Sequence, residues 1–263
     1  MRIHCSRTHV AAVLVTALLF WPHGPTSALD RQALDRQALE AALQGTDRDI
    51  QDRMRDAQRR PVDVMAFLGI SEGMHALDVY AAGGYYTFVM ARAVGDTGRV
   101  YAQNSPRASG FNQDRSDISQ GDALDAAIER GNLHNVVRVD QALDNMDLAP
   151  ESVDFVLVSQ ILHDYYNRSP QRALAMLSVL YQTMKPGAIL GVIDHSGLPE
   201  LDNERLHRMV REDAIAVIHA AGFQLEAESD LLARPDDNPR RSIFDPMLGR
   251  NTDQFLLRFR KPE

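Results

Sequence analysis

Beyond Gly73 the chain alternates short apolar runs with amphipathic stretches, and this rhythm restricts the fold more than any other feature of its 263 residues. Apolar runs lie at 75–80, 99–103, 136–139, 153–158, 188–194, 223–228 and 254–260. Several are too continuously apolar for a strand with one wet face, as expected of strands covered on both sides. Helical periodicity falls between them at 85–94, 122–130, 170–184 and 205–221. Ser169 is placed to cap the third helix, Pro170 suits its first position, and Gly222 stops the fourth. Strand, helix, strand in this order predicts an α/β protein with a doubly wound, mainly parallel sheet. The last two strands lack a periodic helix between them. The stretch 234–250, rich in Pro, Asp and Gly, reads as a long loop closing a terminal antiparallel hairpin.

The first residues belong to a different class. Arg2, His4, Arg7 and His9 precede the apolar run 10–21, and Thr26-Ser27-Ala28 follows with small residues. A basic region, an apolar core and a small-residue end are the parts of a cleavable secretory signal. The run is well short of the roughly 20 residues of a spanning helix. Cleavage after Ala28 is expected, leaving a periplasmic or secreted protein with no stable membrane anchor. The only cysteine, Cys5, leaves with the signal, so the mature chain has neither disulfide nor thiolate. Residues 29–70 read as a helical N-terminal extension, opening with the near-duplicate Leu29-Asp30-Arg31-Gln32-Ala33 and Leu34-Asp35-Arg36-Gln37-Ala38. A five-residue period does not keep one helical face, so this is not a repeat architecture. Residues 71–263 form the α/β domain. A formal charge of −8 argues against a nucleic-acid binder and leaves a small molecule as the expected partner.

In a doubly wound sheet ligands sit at the carboxyl edge, and glycines after the first strand let backbone approach them. Here that turn reads Asp78-Val79-Tyr80-Ala81-Ala82-Gly83-Gly84-Tyr85-Tyr86-Thr87. It resembles the first motif of the class I S-adenosylmethionine-dependent methyltransferases, an acid followed by glycines at alternate positions. Asp78 and Gly84 match; Tyr80 and Ala82 stand where the first two glycines belong. The sequence is most similar to a bacterial, often exported, group of predicted methyltransferases. Further stretches carry that resemblance, among them Val100-Tyr101-Ala102-Gln103-Asn104, Leu162-His163-Asp164-Tyr165-Tyr166 and Gly191-Val192-Ile193-Asp194-His195. The resemblance implies a Rossmann-like methyltransferase fold of seven strands in the order 3-2-1-4-5-7-6. It also implies S-adenosylmethionine as cofactor, held around Asp78, Tyr80, Ala82, Gly83 and Gly84. Asn104 then occupies the ribose position at the end of the second strand, and Asp140 the adenine position after the third, with Asp144 competing.

Asp154 begins the fourth strand at the amino edge and reads as structural. At its other end, His163 is the candidate base for an oxygen or nitrogen nucleophile, with Asp164 or Tyr165 orienting it or the substrate. The leading function is methyl transfer to a small molecule, with no metal required. Two alternatives accompany it. Tyr80, Ala82 and Asn104 together suit a non-catalytic exported binding protein with a degenerate cofactor pocket. The pairs His163-Asp164 and Asp194-His195 offer imidazoles and carboxylates to a metal-assisted hydrolase.

Overall fold

The computed structural model of the chain describes Met1 and residues 33–110 and 118–263, so the signal expected over 1–28 lies outside the described residues apart from Met1. The chain divides into Met1–Asp30 and Arg31–Glu263, and every element described belongs to the second unit. Among the described residues no helix is long and apolar enough to cross a membrane.

Three helices lead into the sheet: α1 (Arg36–Leu43), α2 (Ile50–Arg59) and α3 (Pro61–Leu68). Asp49 caps α2 by accepting from the Gln51 amide, and Pro61 starts α3 with its ring-fixed φ. Then come β1 (His75–Val79), α4 (Tyr85–Val94), β2 (Arg99–Gln103), α5 (Pro106–Ser109), α6 (Gln120–Arg130) and β3 (Val136–Val139). Ser119 and Asp122 close a reciprocal capping box on α6. The second half runs β4 (Val153–Ser159), α7 (Leu162–Tyr166), α8 (Pro170–Thr183), β5 (Met184–His195), α9 (Asn203–Leu206), α10 (Arg211–Ala220), β6 (Gln224–Ser229) and β7 (Gln254–Arg260).

The sheet has the order β3-β2-β1-β4-β5-β7-β6. The first five strands are parallel, and β7 pairs antiparallel with both β5 and β6. Alternate residues of each central strand enter opposite layers. Ala76, Phe155, Leu157, Ile189 and Ile193 pack with α1, α3 and α4. Their neighbours Leu77, Val156, Val158, Leu190 and Val192 pack with α8 and α10. Two covered faces explain why these strands are apolar throughout.

The structure corrects the sequence reading at several boundaries. The helix expected over 205–221 is two helices, because His207 turns left-handed at φ 54° and Arg208 dives into the interior. There its guanidinium forms a fork with Asp237 at 2.6 and 3.0 Å, pinning the 234–250 loop against the domain. Ser169 takes the cap position of α8 with Pro170 first in the helix, but its hydroxyl donates to Gln171 Oε1 and makes no cap hydrogen bond. β5 starts at Met184, four residues before the run expected.

Candidate functional site

The carboxyl edge divides into two halves. At the first, Asp78 is buried on β1 and its Oδ2 accepts from the Thr87 hydroxyl of α4 at 2.7 Å. Burial pushes its carboxyl up to about 7, against the lowering effect of Thr87 and the Arg59 charge. After Asp78, left-handed φ values fall at alternate positions: 55° at Tyr80, 50° at Ala82 and 90° at Gly84. The turn therefore keeps the backbone form of a glycine-rich loop although two of its three special positions carry side chains. A left-handed non-glycine residue costs roughly 1–2 kcal/mol, so something has to hold the turn.

Two amides at the end of β2 do so. Gln103 Oε1 accepts from the Tyr80 amide at 3.1 Å, while its Nε2 donates to Gln141 O. Asn104 clasps Ala82, accepting from its N–H at 2.9 Å and donating to its carbonyl at 3.1 Å. Both side chains are fully buried. The glycines answer to packing: a Cβ on Gly84 meets Leu124 Cδ1 of α6 at 2.9 Å, and one on Gly83 meets Ala123 Cβ at 3.2 Å. Asp140 stands exposed after β3, paired with Arg138 at 2.6 Å, and Asp144 lies in the short 3-10 turn Leu143–Asn145.

The second half lies at the ends of β4, β5 and β7. His163 is buried, and its Nδ1 donates to Asp194 Oδ1 at 2.7 Å. Asp194, wholly buried at the end of β5, also accepts from the backbone amides of His163 and His195. Burial pushes the Asp194 carboxyl up, but the His163 charge and hydrogen bonds outweigh it and hold it below the ordinary value. Burial likewise pulls His163 down, and the Asp194 carboxylate, helped by Asp164, overcomes this to leave it raised above 6.5. The orienting carboxylate is thus Asp194; Asp164 sits on the other side, Oδ1 3.7 Å from His163 Nε2. His207, which has no marker in the sequence, places Nδ1 3.5 Å from the same oxygen. The three ligand atoms of His163, Asp164 and His207 lie within 4.8 Å of one another. Asp194 and His163 meet each other instead of converging as two separate pairs on one ion. His195 turns to Thr252, with Nδ1 and Oγ1 2.7 Å apart, and burial pulls its pKa down to about 3.

Tyr80 and Tyr165 join the halves, with hydroxyl oxygens 2.8 Å apart and rings edge to face. Burial and this hydrogen bond raise the Tyr165 pKa far above neutrality, so it stays a phenol. Beside His195 opens a cavity between α2, Gln160 and the segment before β7. Sequence reasoning missed it, because its arginines are distant in the chain and only the folded 234–250 loop brings them to α2.

No family profile matches the sequence, nor does any curated protein. Solved structures do share the architecture. An S-adenosylmethionine-dependent methyltransferase from Aquifex aeolicus superposes with a TM-score of 0.59 at 18% identity, over 86% of this chain and 98% of that one. The [4+2]-cyclase SpnF gives 0.56 at 17% identity, over 78% and 81%. The pyocyanin biosynthetic protein PhzM gives 0.54 at 15% identity, over 80% and 56%. The chain has the Rossmann-like fold of the class I methyltransferases. At these identities the likeness is one of fold, and a cyclase within the group shows that activity has to be argued from the site.

Proposed function

We propose that the chain is an S-adenosylmethionine-dependent methyltransferase acting on a small molecule, with His163 as its base. One observation carries the reading. A buried carboxylate, Asp194, fixes His163 Nδ1–H at 2.7 Å and leaves Nε2 as the reactive nitrogen, on the same sheet edge as Asp78 and the left-handed turn. S-adenosylmethionine, when bound, supplies an electrophilic methyl group. The turn of Tyr80, Ala82, Gly83 and Gly84 that follows Asp78 would receive that cofactor by shape, because the Tyr80 amide is taken by Gln103 and the Ala82 amide and carbonyl by Asn104. Asn104 is spent on Ala82, so it supports the turn in place of offering a free ribose acceptor. Asp140 remains the candidate on the adenine side. His163 Nε2 takes the proton that a substrate hydroxyl or amine gives up, and Asp194 stabilises the resulting imidazolium. Tyr165, held as a phenol on Tyr80, positions substrate as a donor or acceptor.

Calorimetric titration of the full chain with S-adenosylhomocysteine tests this. A saturable heat is expected, and its absence at millimolar ligand ends the reading.

A second reading is favoured by Tyr80 and Asn104: an exported binding protein whose cofactor pocket has closed on itself. We propose in either case that the signal over 1–28 is removed and the protein is periplasmic or secreted, so that its mature N-terminus is Leu29. Export and methyl transfer pull against each other, since the cofactor is a cytoplasmic product, and the non-catalytic reading relieves that tension. A Tyr80→Gly variant that gains affinity for S-adenosylhomocysteine supports it; tight binding by the wild type ends it.

A further inference from the structure

The cavity beside His195 carries an unusual charge for an acidic protein. Arg55, Arg59, Arg234 and Arg250 line it, and among the described residues no Asp or Glu does. Arg59 is the telling member. Among the described residues its guanidinium meets no carboxylate; its polar contact is Gln160 Oε1 at 3.4 Å, and it lies 4.4 and 5.5 Å from the ring centres of Tyr85 and Tyr86. Arg55, by contrast, is paired with Asp52. Arg234 donates to the carbonyls of Ala233 and Gln58, which neutralises none of its charge. Asp52 and Asp78 act on the Arg59 charge only from beyond contact, so the buried guanidinium has no carboxylate to hydrogen-bond, and a bound one would complete it with two parallel hydrogen bonds. Leu232, Ile243 and Phe244 supply an apolar wall. His195 lines the cavity and its ring stands 6.2 Å from that of His163, so the site is one side chain away from the base.

The geometry points to a binding site for a small organic anion, a carboxylate with an apolar body, gripped by Arg59 and its neighbours. This names the substrate class of the proposed methyl transfer and rests on that reading for the reaction, though not for the binding. A carboxylate can also come from the amino-acid end of the cofactor, so the test separates the two sources.

Benzoate and its uncharged analogue benzamide are titrated into the full chain by calorimetry, each with and without saturating S-adenosylhomocysteine, in the wild type and in Arg59→Met. Expected is benzoate binding at least about tenfold tighter than benzamide, weakening with added salt and lowered about tenfold or more in Arg59→Met. It should persist when S-adenosylhomocysteine is present. Equal affinity for the two probes, or no benzoate binding, overturns the site. Competition between benzoate and S-adenosylhomocysteine overturns it as a substrate site and gives the arginines to the cofactor. Should Arg59→Met fail to fold, the wild-type ratio of benzoate to benzamide and its salt dependence still decide. Benzoate binding without any heat from S-adenosylhomocysteine keeps the anion site and removes methyl transfer; the reverse removes the anion site alone.

Discussion

The two halves of the carboxyl edge spend their polar groups differently. Around β1 and β2 nearly every donor and acceptor is used internally: Asn104 on Ala82, Gln103 on Tyr80 and Gln141, Asp78 on Thr87. Around β4, β5 and β7 the chemistry is held ready, with His163 Nε2 facing Asp164 at a loose 3.7 Å and Arg59 meeting, among the described residues, Gln160 and aromatic rings but no carboxylate. A half that satisfies itself provides a rigid backbone platform. A half with unspent groups has something to offer a ligand, and the difference locates reactivity at the second.

Removing the carboxylate that organises the reactive half should have the largest effect. Asp194→Ala orphans two backbone amides and the His163 ring N–H, all buried, at about 1–3 kcal/mol each when unpaired, so a loss of about 3–5 kcal/mol is expected in urea unfolding. His163→Ala is a poor probe for the same reason, since it strands a buried carboxylate; His163→Asn keeps a donor for Asp194 and removes the second nitrogen. In the platform half, Asn104→Ala leaves the Ala82 amide and carbonyl unpaired and should cost about 2–4 kcal/mol. A loss as small as that of a surface substitution would mean that the turn holds itself.

The pH dependence of the platform follows from Asp78. Its carboxyl holds a proton up to about 7 in the folded chain, whereas the unfolded chain releases it near 3.8. The Asp78 contribution to stability should therefore fall as pH rises through that window, at up to about 1.4 kcal/mol per pH unit, and level off above it. The buried neutral His195 contributes the opposite slope below 6.5, so the Asp78 part is read as the difference between wild type and a variant. Asp78→Asn should lack the Asp78 part, as chemical unfolding on either side of the window will show. The smallest effect concerns Ala82, whose φ of 50° suits glycine better. Ala82→Gly should add about 0.5–1 kcal/mol in the same assay, the relief of strain exceeding the entropy of a freer unfolded chain.

Much of the fold was legible because local pattern and tertiary environment agree. The strands β2, β3 and β7 and the helix α4 fall where apolar runs and helical periodicity put them. The break between α9 and α10 was not, because Arg208 leaves the helix for Asp237, a partner 29 residues away that no local signal marks. His163 was legible as a residue just beyond β4. Its partner was not, since Asp194 becomes adjacent only once β4 and β5 pair, and the neighbouring Asp164 competed for the part. Tyr80 and Ala82 looked like losses from a glycine motif; their backbone retains its geometry, with the compensation supplied by amides on another strand.

The claim that reactivity resides at His163 and is set by Asp194 is tested most directly by following the imidazole nitrogens of the full chain by NMR across pH. His163 should keep its Nδ1 proton throughout and titrate at Nε2 above 6.5, while His195 stays neutral until about pH 3. In Asp194→Asn the His163 titration should move down, because burial then acts without its counter-charge. A His163 that titrates below 6.5 in the wild type, or at the same pH in Asp194→Asn, would mean that Asp194 does not set its reactivity.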